Sequence, residues 1–318
     1  MLTRVAPNSL FPGAVIGAFS PSDPVGALRK PRVDAGLAAL SRADFVVQYS
    51  EYAFVTQRGL GGLRGRVEDI FSLATNPKVN GMIATHGGKS CIDLLTGVLD
   101  FELIRHARKP IIGFSDVCTL LNAITAKTGL ITFYGPNVLS KIEQSAWSDL
   151  RSLNSSSKDF GRRELITLGG GNICVRAGDC VGHLFGGNLE CYINSLLLSG
   201  SDCRPSRGGI FFWESSGITA GEAYQILRAL GMSGFLESLS GMIIGDAFRD
   251  KANTTPQCLE VVLEACSNTQ FPILYSPTFG HAEGLENPIL PIGADVHLDS
   301  RSGVVEALQA YIVVGDAS

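Results

Sequence analysis

The stretch Ile111-Ile-Gly-Phe-Ser-Asp-Val-Cys-Thr-Leu-Leu121 reads as an apolar strand that passes through Gly113-Phe114-Ser115-Asp116 straight into a helix. A sharp strand-to-helix turn of this kind lifts a hydroxyl off the end of a sheet. It also sets that hydroxyl beside the free amides at a helix N-terminus, which can stabilise an oxyanion. The second glycine of a G-x-S-x-G elbow is missing, because Val117 stands in its place. Ser115 can therefore be a nucleophile or an ordinary helix cap, and this segment alone leaves both open.

Working outward, short apolar runs alternate with helical spacing. Ala14–Phe19, Phe45–Tyr49, Gly81–Thr85 and Pro110–Gly113 read as strands, with helices around Val33–Ser41, Arg64–Thr75, Ser90–Leu99 and Asp116–Lys127. Ser90 and Asp93 suggest an imperfect capping box at the third of these helices. Strand-helix-strand at this spacing predicts an α/β fold with a doubly wound parallel sheet. After Val175 a second α/β pattern begins. Leu184–Ser199 reads as a helix and Gly209–Trp213 as a strand. Glu222–Leu230 reads as a helix capped by Gly231, Gly241–Gly245 as a strand and Cys258–Ser267 as a helix, with paired strands at Asp295–Asp299 and Gly303–Leu308. The polar run Ser152–Lys158 sits between the halves. The expected organisation is an N-terminal domain over 1–140, a linker or loop over 141–172, and a C-terminal α/β domain over 173–318.

Composition limits the function classes. Of 318 residues, 45% are apolar and 18% charged, enough to build a large core. A net charge of −4 with no basic block gives no electrostatic case for nucleic acid or an anionic membrane. No apolar run reaches the ~18 residues needed to span a bilayer. Met1–Gly13 lacks the apolar core of a secretory signal. Eight cysteines lie scattered with no C-x-x-C. They read as small buried hydrophobes in a reducing, cytoplasmic setting rather than as zinc or redox sites. Glycine is over-represented at 37 residues, which points to tight turns and close backbone approaches.

A serine nucleophile needs a base and a group to orient it. Of the five histidines, His106 lies in a charged helix end, His183 in an apolar run and His297 on an alternating strand. His86 ends a strand before Gly87-Gly88, and His281 lies in the Gly-flanked loop Thr278–Gly284, so these two remain candidates. Glu214 ends the apolar strand Phe211-Phe-Trp213, where a carboxylate needs a partner or water; a solvated strand end is its simplest reading. Thr85-His-Gly-Gly-Lys-Ser90 resembles a phosphate loop but has Ile83 where that motif needs glycine, so its amides fit better as oxyanion donors. Phe185-Gly-Gly-Asn-Leu189 opens the helix of the second half.

Taken in order, Ser20-Pro21-Ser22, Gly87-Gly88, Gly113–Asp116, Lys127–Pro136, Gly186–Leu189, Phe211–Glu214 and Phe279-Gly-His281 resemble the LD-carboxypeptidase family of serine peptidases, which includes the microcin-immunity peptidases. The resemblance runs from about Gly13 to the C-terminus. It implies a Ser–His–Glu triad of Ser115, His281 and Glu214, with oxyanion donors at the amides of Gly88 and Asp116. It also implies a two-domain dimer with the active site between the domains and with no need of a metal or cofactor. Its substrate would be a small peptide or a peptidyl- or aminoacyl-nucleotide, and Gly87, Lys89 and Asn188 are the expected substrate contacts. Lys89-Ser90-Cys91 replaces the Tyr-Gly of murein-recycling members, and Phe133-Tyr-Gly-Pro136 is closer to the microcin-immunity branch. Leu197–Gly200 departs from the usual family pattern, and Trp147–Gly171 matches neither branch. The expected activity is thus microcin-immunity-like amide cleavage, with murein tetrapeptide carboxypeptidase as the alternative. A ligand-binding protein without catalysis on the same scaffold is the rival from another class, and a nucleotide-dependent enzyme is a further one.

Overall fold

The computed structural model describes residues 2–26, 30–55, 60–140, 164–198, 207–249 and 255–313. The first half supplies five of the strands of a six-stranded sheet, β1 (Val15–Phe19), β2 (Val46–Tyr49), β3 (Gly81–Ala84), β4 (Ile111–Gly113) and β5 (Thr132–Tyr134). Helices α1 (Lys30–Arg42), α2 (Leu60–Thr75), α3 (Phe101–Ala107) and α4 (Cys118–Thr128) connect them. These five strands are mutually parallel. β3, β4 and β5 are buried at every position, as strands covered on both faces must be, and β3 and β4 read as unbroken apolar runs for that reason. The edge strand β2 is half in contact with water and alternates instead.

The second half forms an eight-stranded mixed sheet in the order β6-β14-β13-β8-β9-β10-β11-β7. Its parallel centre is β8 (Asp179–Asn188), β9 (Gly209–Glu214), β10 (Leu239–Asp246) and β11 (Ile273–Gly280). Around it lie α5 (Leu189–Leu198), α6 (Ala220–Met232) and α7 (Thr255–Ala265). The flanking strands β7 (Ile173–Arg176), β13 (Asp295–Asp299), β14 (Val304–Ala307) and β6 (Glu164–Leu165) are antiparallel. β13 and β14 alternate between buried and half-exposed, the pattern of a sheet with one wet face. Residues 141–163 of the expected linker lie outside the described residues. Glu164–Leu165, near its C-terminal end, form β6 in the second sheet.

Two features join the halves. Strand β12 (Leu290–Ile292) follows β11 in sequence but adds antiparallel to β5, completing the first sheet at its edge. Helix α4 is buried at nine of its eleven positions and packs on β4 and β5 on one side and on β8 on the other. Its Asn122 side chain donates to Gly186 O (2.7 Å) and accepts from Gly186 N (3.1 Å), treating β8 as though it were a neighbouring strand. A helix enclosed on both sides must satisfy its polar side chains internally, as Asn122 does here.

Local readings failed where long-range partners took over. Leu184–Asn188 is strand rather than helix, because Gly186 and Gly187 take φ of +135° and +136°. A side chain at Gly186 would collide with Phe212 O, and one at Gly187 with Cys118 Cβ. Ser90 caps no α-helix: its hydroxyl donates to Asp23 Oδ1 (2.9 Å), and only a short 3-10 turn, Cys91–Leu95, follows. Helix α6 runs past Gly231 to Met232 and starts instead with a full capping box between Thr219 and Glu222. Among the described cysteines Cys91, Cys118, Cys258 and Cys266 are buried as expected, but Cys174 is exposed. Among the described residues no helix is long and apolar enough to cross a membrane.

Candidate active site

The turn after β4 carries Ser115 with φ +63°, a left-handed conformation that a non-glycine residue adopts at a cost of about 1–3 kcal/mol. The surrounding bonds hold it there. Asn137 accepts from Phe114 N (2.9 Å) and donates to Phe114 O (3.2 Å), fixing the residue before the serine from both sides. The Ser115 N–H donates to the Tyr134 hydroxyl at 3.1 Å. The 3-10 turn Ser115–Val117 then leads directly into α4.

Glu214 and His281 come from the other sheet. Glu214 ends β9 and His281 follows Gly280, the last residue of β11. His281 Nε2 lies 2.9 Å from Ser115 Oγ, and His281 Nδ1 lies 2.6 Å from Glu214 Oε2. Glu214 is 0% exposed, so the solvated strand end expected from its sequence position is overturned. Its other oxygen, Oε1, accepts from Tyr134 Oη (2.8 Å) and Asn188 Nδ2 (3.3 Å). These donors replace the water that a buried carboxylate would otherwise require. An ionised carboxylate only accepts, so Nδ1 carries the ring proton and Nε2 presents its lone pair to the Ser115 hydroxyl.

Burial of the His281 ring works to lower its pKa. The hydrogen bond and charge of Glu214, followed by the charges of Glu190 and Asp246, outweigh burial and raise it above its ordinary value. The side chain is still 26% exposed, and its ring lies against Phe114 with centroids 4.8 Å apart and planes tilted by 40°.

Ser115 and His281 open into a cavity of about 750 Å³ that Gly87, Gly88 and His86 also line. Gly87 faces the serine closely: a Cβ there would fall 2.8 Å from Ser115 Cβ and 3.3 Å from Asp116 N. The Asp116 carboxylate is buried and accepts from Ser22 Oγ (2.5 Å) and Cys91 N (2.9 Å), tying the elbow to the loops at 22 and 88–91. Among the described residues, Arg32, Asp23 and Glu283 are the charged side chains on the cavity wall apart from the histidines. Among the described residues no group of three His, Cys, Asp or Glu side chains is arranged to hold a metal ion.

The structure therefore brings Ser115, Glu214 and His281 together, with Gly87 and Gly88 beside them. His86, left open by position, lines the same cavity but is not the histidine on the serine. Two expected substrate contacts lie elsewhere. Lys89 is exposed and lines no part of this cavity. Asn188 is 3% exposed, holds Glu214, and accepts from Cys191 N at 3.2 Å as the cap of α5. Sequence reasoning missed Tyr134 and Asn137. A tyrosine and an asparagine flanking Gly135-Pro136 at the end of a parallel strand are the signal that was available.

Comparison with known proteins gives this geometry a class. The model of the LD-carboxypeptidase N-terminal domain matches residues 16–135 and that of the C-terminal domain matches residues 181–298, together well over half of the chain. The chain belongs to the LD-carboxypeptidase family, a family of hydrolases. The microcin C7 self-immunity protein MccF of Escherichia coli is 27% identical over 94% of this chain and 94% of its own length. A Bacillus subtilis protein described as a probable murein peptide carboxypeptidase is 25% identical over 95% of this chain and 94% of its own. The structure of MccF in complex with aspartyl sulfamoyl adenosine superposes with a TM-score of 0.82 at 24% identity, covering 97% of this chain and 100% of that one. The two-domain α/β fold is thus the fold of the family.

Proposed function

We propose that the protein is a serine-type carboxypeptidase or amidase that cleaves a small peptidyl- or aminoacyl-nucleotide amide. The observation that carries the reading is the continuous relay from Glu214 Oε2 through both nitrogens of His281 to Ser115 Oγ, at 2.6 and 2.9 Å, on the wall of a cavity. His281 Nε2 takes the Ser115 proton as Oγ bonds to the substrate carbonyl carbon. The imidazolium so formed is held by Glu214 and then gives that proton to the leaving amine. Oxygen charge in the tetrahedral intermediate is met by the amides of Gly88 and Asp116, and loss of one such donor typically lowers kcat by about 10²–10³. Water hydrolyses the acyl-serine with His281 again as base. The raised pKa of His281 keeps a strong base on the serine and places the acid limb of the rate profile above the usual histidine value.

The nucleotide-amide reading rests on the similarity to MccF and on Phe133-Tyr-Gly-Pro136. A murein tetrapeptide is the second reading, supported by the Bacillus subtilis relative. Amino-acid release from an aminoacyl-sulfamoyl adenosine and from a murein tetrapeptide, each with wild type and Ser115→Ala, separates them. Release from the first alone, abolished by the substitution, is expected; turnover of neither refutes both substrates. Fluorophosphonate labelling of Ser115, lost in His281→Ala, tests catalysis itself. A folded wild type that takes no label leaves a binding protein on this scaffold.

A further inference from the structure

The hydrogen bonds around the serine do not stop at the three expected residues. Tyr134 ends β5, where Gly113 of β4 is its register partner, so its ring stands beside the turn that carries Ser115. The side chain is 1% exposed and is packed by Phe114 at 5.0 Å and Phe212 at 5.5 Å between ring centroids. Among the described residues its hydroxyl has two polar partners. It lies 2.8 Å from Glu214 Oε1 and 3.1 Å from Ser115 N.

We propose that Tyr134 is a positioning residue of this site: its hydroxyl links the backbone of Ser115 to the carboxylate of Glu214 and closes a ring of hydrogen bonds that joins the backbone N–H of the serine to its own side-chain hydroxyl. The inference rests on the catalytic reading above for its effect on rate. The bond directions are forced. A backbone N–H only donates and an ionised carboxylate only accepts, so the single phenol proton points at Glu214 and the phenol lone pair faces Ser115. The ring runs Ser115 N–H to Tyr134 Oη, Oη–H to Glu214 Oε1, Glu214 Oε2 from Nδ1–H of His281, and Nε2 from the hydroxyl of Ser115. Burial, followed by the charge of Glu214, holds the phenol well above its ordinary pKa, so the linking proton stays in place across the working range.

Two consequences follow. Each carboxylate oxygen is assigned: Oε1 is occupied by Tyr134 and Asn188, which leaves Oε2 facing the imidazole. The Ser115 N–H, already committed to Tyr134, is not free to meet a substrate oxyanion, so within the elbow that task falls to the next amide, Asp116. A tyrosine that merely filled space would do neither, and phenylalanine would replace it without loss.

The test is Tyr134→Phe, which keeps the ring and removes the hydroxyl. With Oε1 short of a donor, Glu214 acts more strongly on the imidazole. The His281 pKa, followed by NMR titration, should rise, and the acid limb of kcat/KM should move up with it. Turnover and fluorophosphonate labelling should slow by about 10–10²-fold, the scale of a small misplacement of reacting groups, with KM nearly unchanged. A folded variant whose His281 titration and labelling rate match wild type overturns the proposal. If wild type itself neither labels nor turns over, the catalytic reading fails, while the His281 titration still decides whether Tyr134 is coupled to the site. If the variant does not fold, the phenol proton is observed in wild type: a slowly exchanging, downfield resonance is expected, and a freely exchanging one overturns the proposal.

Discussion

Gly87→Ala is a small change whose effect can be worked from contacts. The added Cβ would lie 2.8 Å from Ser115 Cβ, 3.1 Å from Ser115 Oγ and 3.3 Å from Asp116 N. Carbon atoms do not pack that closely, so one side of the contact must move. Ser115 is poorly placed to yield. Its N–H is held by Tyr134, its Oγ by His281, and the preceding residue by two bonds to Asn137. Forcing a methyl into a fixed, well-packed place costs about 1–3 kcal/mol. The same methyl stands over the Asp116 amide and obstructs one oxyanion donor, a loss worth about 10²–10³ in kcat. The expected outcome is a folded protein of somewhat lower Tm whose fluorophosphonate labelling and amide turnover are slowed by at least about 10². Stopped-time labelling with a fluorescent phosphonate, read beside a melting curve, measures both. Labelling at the wild-type rate in Gly87→Ala would show that the Asp116 amide takes no part, and the oxyanion assignment would fall.

Glu214→Gln should lower kcat by about 10⁴, as when a triad carboxylate becomes an amide. It should also lower the His281 pKa, since burial then acts with less opposition; NMR titration and rate measurements check both, and an unmoved pKa would refute the electrostatic argument. His183 is 6% exposed, and burial, with the charge of Arg4, lowers its pKa from 6.5 to about 4. Both states are neutral above the unfolded pKa, so stability is lost as pH falls from about 6.5 towards about 4, by about 3 kcal/mol in full at 1.36 kcal/mol per unit. Urea melts at neutral pH and near the lower limit should show this loss in wild type but not in His183→Phe, and parallel losses would rule out His183 as the cause. Asn188→Ala should cost about 1 kcal/mol as a lost cap of α5 and should slow turnover through Glu214. Full retention of both stability and rate would contradict its placement between the helix and the carboxylate.

The buried strands of the first sheet were legible because burial on both faces leaves an unbroken apolar run, as at Gly81–Ala84 and Ile111–Gly113. Gly113–Asp116 announced a turn into a helix, but nothing local distinguished a nucleophile from a cap. The resemblance made that choice, together with the choice of His281 over His86. What stayed hidden depends on partners far off in the chain. Leu290–Ile292 is three residues with a proline at its centre, and its strand exists only because β5 offers an edge. Asn188 looked like a polar group free for substrate, yet Glu214 and the first turn of α5 occupy it from both ends. Tyr134 stood out only as part of Phe133-Tyr-Gly-Pro136, and only the arrival of Glu214 from the second sheet gives its hydroxyl a purpose.

The strand that completes the first sheet also orders events during synthesis. Ser115 and His281 are 166 residues apart, and β12 docks on β5 only after His281 has been made. A growing chain that already holds the elbow has neither its base nor its carboxylate, and the edge of β5 still lies open. The hydroxyl has no base until the chain has grown 166 residues past it to His281, so a nascent chain shorter than that carries no armed nucleophile.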